Sequence, residues 1–299
     1  MAHDHSHGHR HYDRGFALSI VLNLAFVVGE SIYGLIAHSM SLVADAGHNL
    51  SDVLGLALAW GAGWLARQKP SKYRTYGFRR VTILAALANG VLIFLVTGGV
   101  AWESLRRLSS PGMVAGKTVM VVAAVGVAVN GISALFLRKR GEHDLNVRGA
   151  FLHLLVDAAV SVGVVVTGVV IFYTGWNLAD PIVSLALSLV IVITSWGLLR
   201  SSVYLALDAV PEGIDPDEVR TYLQGLPDVL EVHDLHIWAM STTETALTAH
   251  LRMKVAERDP HFLGSVCKVL HDRFSIEHAT LQLETPGAEP CGLAVEGSV

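Results

Sequence analysis

Two histidine–aspartate pairs with one spacing stand inside apolar sequence: His48 with Asp52, and His153 with Asp157. A separation of four puts each imidazole and its carboxylate on the same helix face, one turn apart. An aspartate near the centre of a bilayer costs about 2.5 to 3.5 kcal/mol on insertion scales, so an ionisable residue at that depth marks a functional site by default. Two imidazole nitrogens and two carboxylate oxygens suit a borderline divalent ion in a tetrahedral shell, Zn²⁺ first, with Cd²⁺ and Co²⁺ as further candidates. Cu⁺ prefers sulfur, and Mg²⁺ or Ca²⁺ prefers oxygen alone. Zn²⁺ between two carboxylates is formally neutral, which lowers the penalty of burying any of them. The plainer reading, four unrelated polar residues packed between helices, has to explain why their spacing is repeated.

Such pairs need long helices to hold them, and the composition supplies the material. The 299 residues are 52% hydrophobic and 16% charged, and the mean hydropathy is positive, which is too apolar for an ordinary soluble protein. Six transmembrane helices are expected, over residues 16–37, 41–66, 81–105, 118–137, 147–173 and 181–204. Arg67, Lys69, Lys72, Arg74, Arg79 and Arg80 crowd one loop, and Arg138, Lys139, Arg140 and Arg148 crowd or flank another. The remaining loops carry only Arg106, Arg107 and Lys117. The positive-inside rule therefore makes both termini cytoplasmic. Compact loops point to a bacterial inner membrane. The first apolar stretch has the length of a span and follows a polar segment, so it is expected to remain as an anchor.

With that topology the second and fifth spans run in opposite directions. His48 and Asp52 fall roughly 10 to 17 Å from one face, and His153 and Asp157 roughly 9 to 15 Å from the other, at 1.5 Å per residue. In a core about 30 Å thick the pairs meet near the midplane, where transporter sites are built. Histidine titrates near neutrality, so protons compete with the metal for the same ligands. The expectation is a proton-coupled antiporter that exports Zn²⁺ from the cytoplasm.

Other polar residues lie in the spans. Asp45, three before His48, shares its helix face and is a candidate outer-shell acceptor or proton relay, or else a group at the outer mouth. Asn23, Asn49, Asn89 and Asn130 are expected to make interhelical hydrogen bonds or line a cavity, and Glu30 to face the vestibule. The chain divides into a His-rich cytoplasmic tail (1–15), a membrane domain (16–208), a cytoplasmic α+β domain (209–286) and a disordered tail (287–299). His3, His5, His7, His9 and His11 give the first tail a weak affinity for divalent ions. With only Cys267 and Cys291, neither a disulfide framework nor a cysteine zinc cluster is expected. The net charge of −4 gives no reason to expect a nucleic-acid partner.

The soluble part reads as helix, strand, strand, helix, strand. Asp215-Pro216 and Asp259-Pro260 each signal a helix start, for helices through about residues 226 and 274. Residues 229–238, 243–255 and 278–285 read as strands. Alternation puts His250 opposite the apolar face of the middle strand and Glu284 on the polar face of the last, where His233 completes a second candidate metal site. His236, His261, His271 and His278 are read as solvent-facing or packing residues.

Four stretches resemble the cation diffusion facilitator family of zinc transporters: Ser41-Leu-Val-Ala-Asp-Ala-Gly-His-Asn-Leu-Ser-Asp52, His153-Leu-Leu-Val-Asp157, Glu231-Val-His-Asp-Leu-His-Ile-Trp238 and Ala279-Thr-Leu-Gln-Leu-Glu284. The resemblance implies six helices, a metallochaperone-like cytoplasmic αββαβ domain, and a homodimer that exchanges metal for protons by alternating access. It carries the transport-site role onto His48, Asp52, His153 and Asp157. It also implies cytoplasmic zinc binding at positions matching His233, His250 and Glu284, although Gln282 stands where some members have histidine. A charge interlock at the boundary of membrane and cytoplasm in the dimer maps onto Arg80 and Asp208. Two rival readings make different demands: an intramembrane metalloprotease needs an HExxH helix, which is absent from the sequence, and a metal-gated sensor or channel would lack proton coupling.

Overall fold

The computed structural model describes residues 24–138, 145–254 and 260–285. Six helices come first: α1 (Leu24–Ile36), α2 (Met40–Ala66), α3 (Val81–Ser109), α4 (Gly116–Arg138), α5 (Leu145–Thr174) and α6 (Ala179–Ala206). Then follow α7 (Pro216–Gln224), β1 (Val229–Ala239), β2 (Thr245–Met253), α8 (Phe262–Phe274) and β3 (His278–Glu284). The result is a multi-pass helical membrane protein with a C-terminal α+β domain. The chain forms two compact units, Met1–Ala57 with Asn89–Trp196, and Leu58–Ala88 with Gly197–Val299.

The expectation of six spans is corrected. Among the described residues four helices are long and apolar enough to cross a membrane: Val81–Ser109, Gly116–Leu135, Phe151–Thr174 and Ala179–Ala206. The described helix Leu24–Ile36 is too short. Helix α2 is long, but Asp45, His48, Asn49, Ser51 and Asp52 lower its apolar character. The residues that make it chemically interesting are those that remove it from the count.

In the first unit, α2 is set by its start. Chain reversal after α1 uses His38 in the left-handed region (φ 52°). The Asp180 carboxylate, in the first turn of α6, then accepts from the backbone of Met40 (2.6 Å) and Ser41 (3.1 Å) and from the hydroxyls of Ser39 (2.6 Å) and Ser41 (2.7 Å). Ser39 Oγ accepts in turn from Leu42 N at 3.2 Å, so the exposed donors at the start of α2 are met by a side chain of another helix. Helix α5 is held differently. A Cβ on Gly168 would stand 2.6 Å from the Met120 nitrogen, and one on Gly116 2.8 Å from the Phe172 nitrogen. Backbones of α4 and α5 touch there because both glycines lack side chains. Outward faces are apolar, with Leu56, Leu95 and Ile193 all more than 60% exposed, as a lipid environment requires.

The second unit contains a three-stranded sheet in the order β1-β2-β3. β1 and β2 are antiparallel, and β2 and β3, joined through α8, are parallel. Asp215 caps α7, accepting from Asp217 N at 2.9 Å, and Pro216 occupies the first turn, where its missing N–H is not needed. This helix ends at Gln224, slightly short of the expected end. Helix α8 begins at Phe262, and Asp259 lies outside the described residues. Val219 and Leu223 of α7 and Val266, Leu270 and Phe274 of α8 form i, i+4 stripes. They close one core with Leu247, Ala249 and Leu251 of β2. Within this unit the stretch preceding and opening α3 meets the sheet: Arg79 pairs with Glu244 at 2.9 Å, Thr82 Oγ1 accepts from Thr242 N at 3.0 Å, and Tyr76 meets the His278 ring edge-on.

Replacing Asp180 by alanine leaves four buried donor contacts without their acceptor. The expected loss is roughly 2 to 4 kcal/mol, seen as a lower unfolding midpoint of the full-length protein in detergent. An unchanged midpoint would show that this carboxylate is not structural.

Candidate metal sites

On α2 and α5 the four paired candidates come together. His48 Nε2 stands 3.6 Å from Asp52 Oδ2 and 3.6 Å from Asp157 Oδ1. His153 Nε2 stands 3.1 Å from Asp52 Oδ2 and 3.5 Å from Asp157 Oδ2. Each histidine thus meets the carboxylate of its own helix and that of the other. Donor atoms of His48, Asp52 and Asp157 all lie within 4.8 Å of one another. His153 falls outside that tight group and is half-exposed, its ring centroid 6.1 Å from that of His48. The compact set is therefore one histidine and two aspartates, with the second histidine at its edge. Asp157 is 3% exposed and its Oδ1 has no hydrogen-bond partner. A buried carboxylate oxygen without a hydrogen bond calls for a compensating partner, and a bound cation would supply one.

The neighbouring polar residues depart from expectation. Glu30 does not face a vestibule: it is 1% exposed, as is Asp45. Asp45 accepts from Ser161 Oγ at 2.9 Å, and Asn49 Nδ2 reaches both Asp45 and Glu30 at 3.4 Å. Asn89 Oδ1 and Asn130 Nδ2 are buried without a hydrogen-bond partner. Asn23 lies outside the described residues.

A second cluster sits on the sheet. Glu284, 8% exposed, accepts or shares a proton with His233 Nε2 at 3.0 Å and His250 Nδ1 at 3.2 Å. His233 and His250 are register partners on β1 and β2, with ring centroids 5.1 Å apart. Donor atoms of the three lie within 4.8 Å of one another. Burial pushes the Glu284 carboxyl up, but hydrogen bonding and charge from His233, then from His250, outweigh it and hold the group below the usual glutamate value. Sequence reasoning missed Asp234, whose Oδ2 is 3.6 Å from His250 Nε2. A regular strand sends residues 233 and 234 to opposite faces. Here the register shifts between His233 and His236, and Asp234 takes φ 52°, so a bulge turns its carboxylate back. Nothing in the alternation of apolar residues announces that bulge. Gln282 is exposed, as are His236, His261, His271 and His278.

Arg80 and Asp208 form an ion pair within a single chain, both groups about half-exposed. The histidine tail, residues 1–15, and the final segment with Cys291 lie outside the described residues.

Against known families, residues 16–205 match the cation efflux transmembrane domain, and residues 211–286 match the cytoplasmic domain of cation efflux proteins. The chain belongs to the cation diffusion facilitator family. It is 34% identical over 294 residues to the cation efflux system protein CzcD of Alcaligenes sp. (strain CT14), covering 98% of this chain and 92% of that one. It is also 34% identical over 298 residues to the zinc transporter ZitB of Escherichia coli (strain K12), covering 97% and 94%. With a Bacillus subtilis (strain 168) cadmium, cobalt and zinc/H(+)-K(+) antiporter it shares 30% identity over 291 residues, covering 95% and 92%. As a cation diffusion facilitator it is an integral membrane ion-transport protein and not an enzyme, and both side-chain clusters have donors for a divalent cation.

For this family member the lowered Glu284 value fixes a pH dependence. A carboxyl whose folded value lies below its unfolded one contributes stability that is complete above the unfolded value and lost as pH falls through the folded one. Metal-free full-length protein should therefore lose stability on acidification through and below the ordinary glutamate range. Glu284→Gln should flatten that part of the unfolding curve. Superimposable acid profiles would show that Glu284 contributes nothing of the kind.

Proposed function

We propose that this protein is a homodimeric antiporter that exports Zn²⁺, and with it Cd²⁺ and Co²⁺, from the cytoplasm in exchange for protons. The observation that carries the reading is the convergence of His48 and Asp52 with Asp157 and the nearby His153, two helices contributing matched pairs. Zn²⁺ is the cargo, held by the two carboxylates and His48, with His153 as the fourth donor completing a tetrahedral shell. The names of the relatives above support zinc, cadmium and cobalt as cargo, and the antiporter among them supports proton exchange.

Exchange follows from the ligands themselves. A neutral imidazole binds metal and a protonated one does not, so a rise in proton concentration on one side ejects the cation and a fall permits loading. No step needs energy beyond the proton gradient. In this reading the chain works as four parts, 1–15, 16–208, 209–286 and 287–299, with both termini in the cytoplasm of a bacterial cell. His233, His250 and Glu284 bind a regulatory Zn²⁺, and Arg80 with Asp208 braces the membrane boundary of the dimer.

In proteoliposomes with the cytoplasmic face outward, an acidic interior should accelerate zinc uptake. Flux indifferent to the pH gradient would remove proton coupling and leave a channel or sensor. Asp52→Ala and Asp157→Ala should each lower flux by more than the roughly 10- to 100-fold that loss of an outer-shell partner causes. Wild-type rates in both would overturn the site.

A further inference from the structure

Beside the metal ligands lies a second pair of carboxyl groups that the exchange above does not use. Glu30 on α1 and Asp45 on α2 are each 1% exposed, and their carboxyl groups are within hydrogen-bonding reach of one another. Asn49 Nδ2 is 3.4 Å from an oxygen of each, and Ser161 Oγ from α5 donates to Asp45 Oδ2 at 2.9 Å. Both partners are neutral. Among the described residues, the charged and titratable groups facing Asp45 are Glu30, His48 and Asp157, and Asp45 is the one facing Glu30. Glu30 Oε1 is fully buried with no hydrogen-bond partner.

Two adjacent carboxylates in an apolar interior cannot both ionise without a compensating charge. A single proton satisfies the geometry. Placed on the pair, it turns a repulsive contact of two acceptors into an O–H···O hydrogen bond and reduces the charge to one, which Asn49 and Ser161 stabilise by donation. The orphaned Glu30 oxygen is a position from which that proton can be held.

We propose that Glu30 and Asp45 together bind one exchangeable proton, at a site separate from the metal ligands, and release it when a divalent cation enters beside His48 and Asp157. The proposal rests on the antiport reading and names a carrier for one of its protons. Cation entry puts positive charge opposite Asp45, which favours the ionised pair. The O–H bond breaks, its electron pair stays on the carboxylate, and the proton passes to water. Reprotonation of the pair removes the negative charge that helped hold the cation, and release becomes easier. Coupling therefore does not depend on the ligating histidines alone.

The test uses purified full-length protein in detergent, titrated with ZnCl₂ in weak buffer while bound zinc and released protons are counted together. Glu30→Gln keeps the shape and the hydrogen-bonding capacity of the side chain. At alkaline pH it should still bind zinc, but more weakly than wild type because it lacks the charge of the ionised pair, while protons released per zinc should fall by roughly one. Asp45→Asn should give the same deficit. A proton count equal to wild type in both variants overturns the proposal. Loss of zinc binding in Glu30→Gln would instead make the pair a metal ligand, and failure of both variants to fold would make it a structural hydrogen bond; either also overturns it. Wild-type flux that ignores a pH gradient would sink antiport itself, whereas coupled wild-type flux with an unchanged count in Glu30→Gln sinks only this inference.

Discussion

One carboxylate sets the position of the helix that carries half of the metal ligands. Asp180 accepts both backbone and hydroxyl donors from the start of α2. A helix that begins inside an apolar medium has free N–H groups with no water to meet them. Satisfying them from α6 fixes where α2 starts and how it is rotated. Asp45, His48 and Asp52 then follow at intervals that the helix itself dictates. The second half of the site depends on a different constraint, the glycine contact between α4 and α5. Ligand spacing at the ångström level needs both, because a site held on loosely seated helices cannot keep donor atoms within bonding range.

The histidine–aspartate pairs are legible in the sequence because a helix has one period. Residues four apart share a face whatever the rest of the chain does, and matched depth follows from counting residues. Helix rotation is not legible in the same way. Glu30, expected at a vestibule, is instead buried against Asp45 and Asn49, which depends on how α1 turns toward α2. The half-exposed position of His153 has the same origin. The number of spans differs from expectation because α2 trades apolar character for ligands, and because α1 is described over only a short stretch.

On the sheet the balance is similar. Alternation along β2 and β3 places His250 and Glu284 on one face, and the register joins His233 to His250 directly. Asp234 escapes a sequence reading because a bulge breaks the period on which that reading rests. Electrostatic surroundings also differ between the clusters. Glu284 has the Arg252 guanidinium 4.0 Å away, a permanent charge that steadies the carboxylate. No such permanent cation contacts Asp52 or Asp157 among the described residues; their ion-pair partners are histidines. The sheet carboxylate is thus paired in part with a permanent charge, and the aspartates of α2 and α5 only with titratable ones.

The glycine contact between α4 and α5 has a mechanical side. With two backbones in direct touch at Gly116 and Gly168, neither helix can slide or roll on the other without opening a void that no side chain is present to fill. His153 and Asp157 are therefore carried by a double-helix lever rather than by a single rod. A movement of α5 would therefore draw α4 with it.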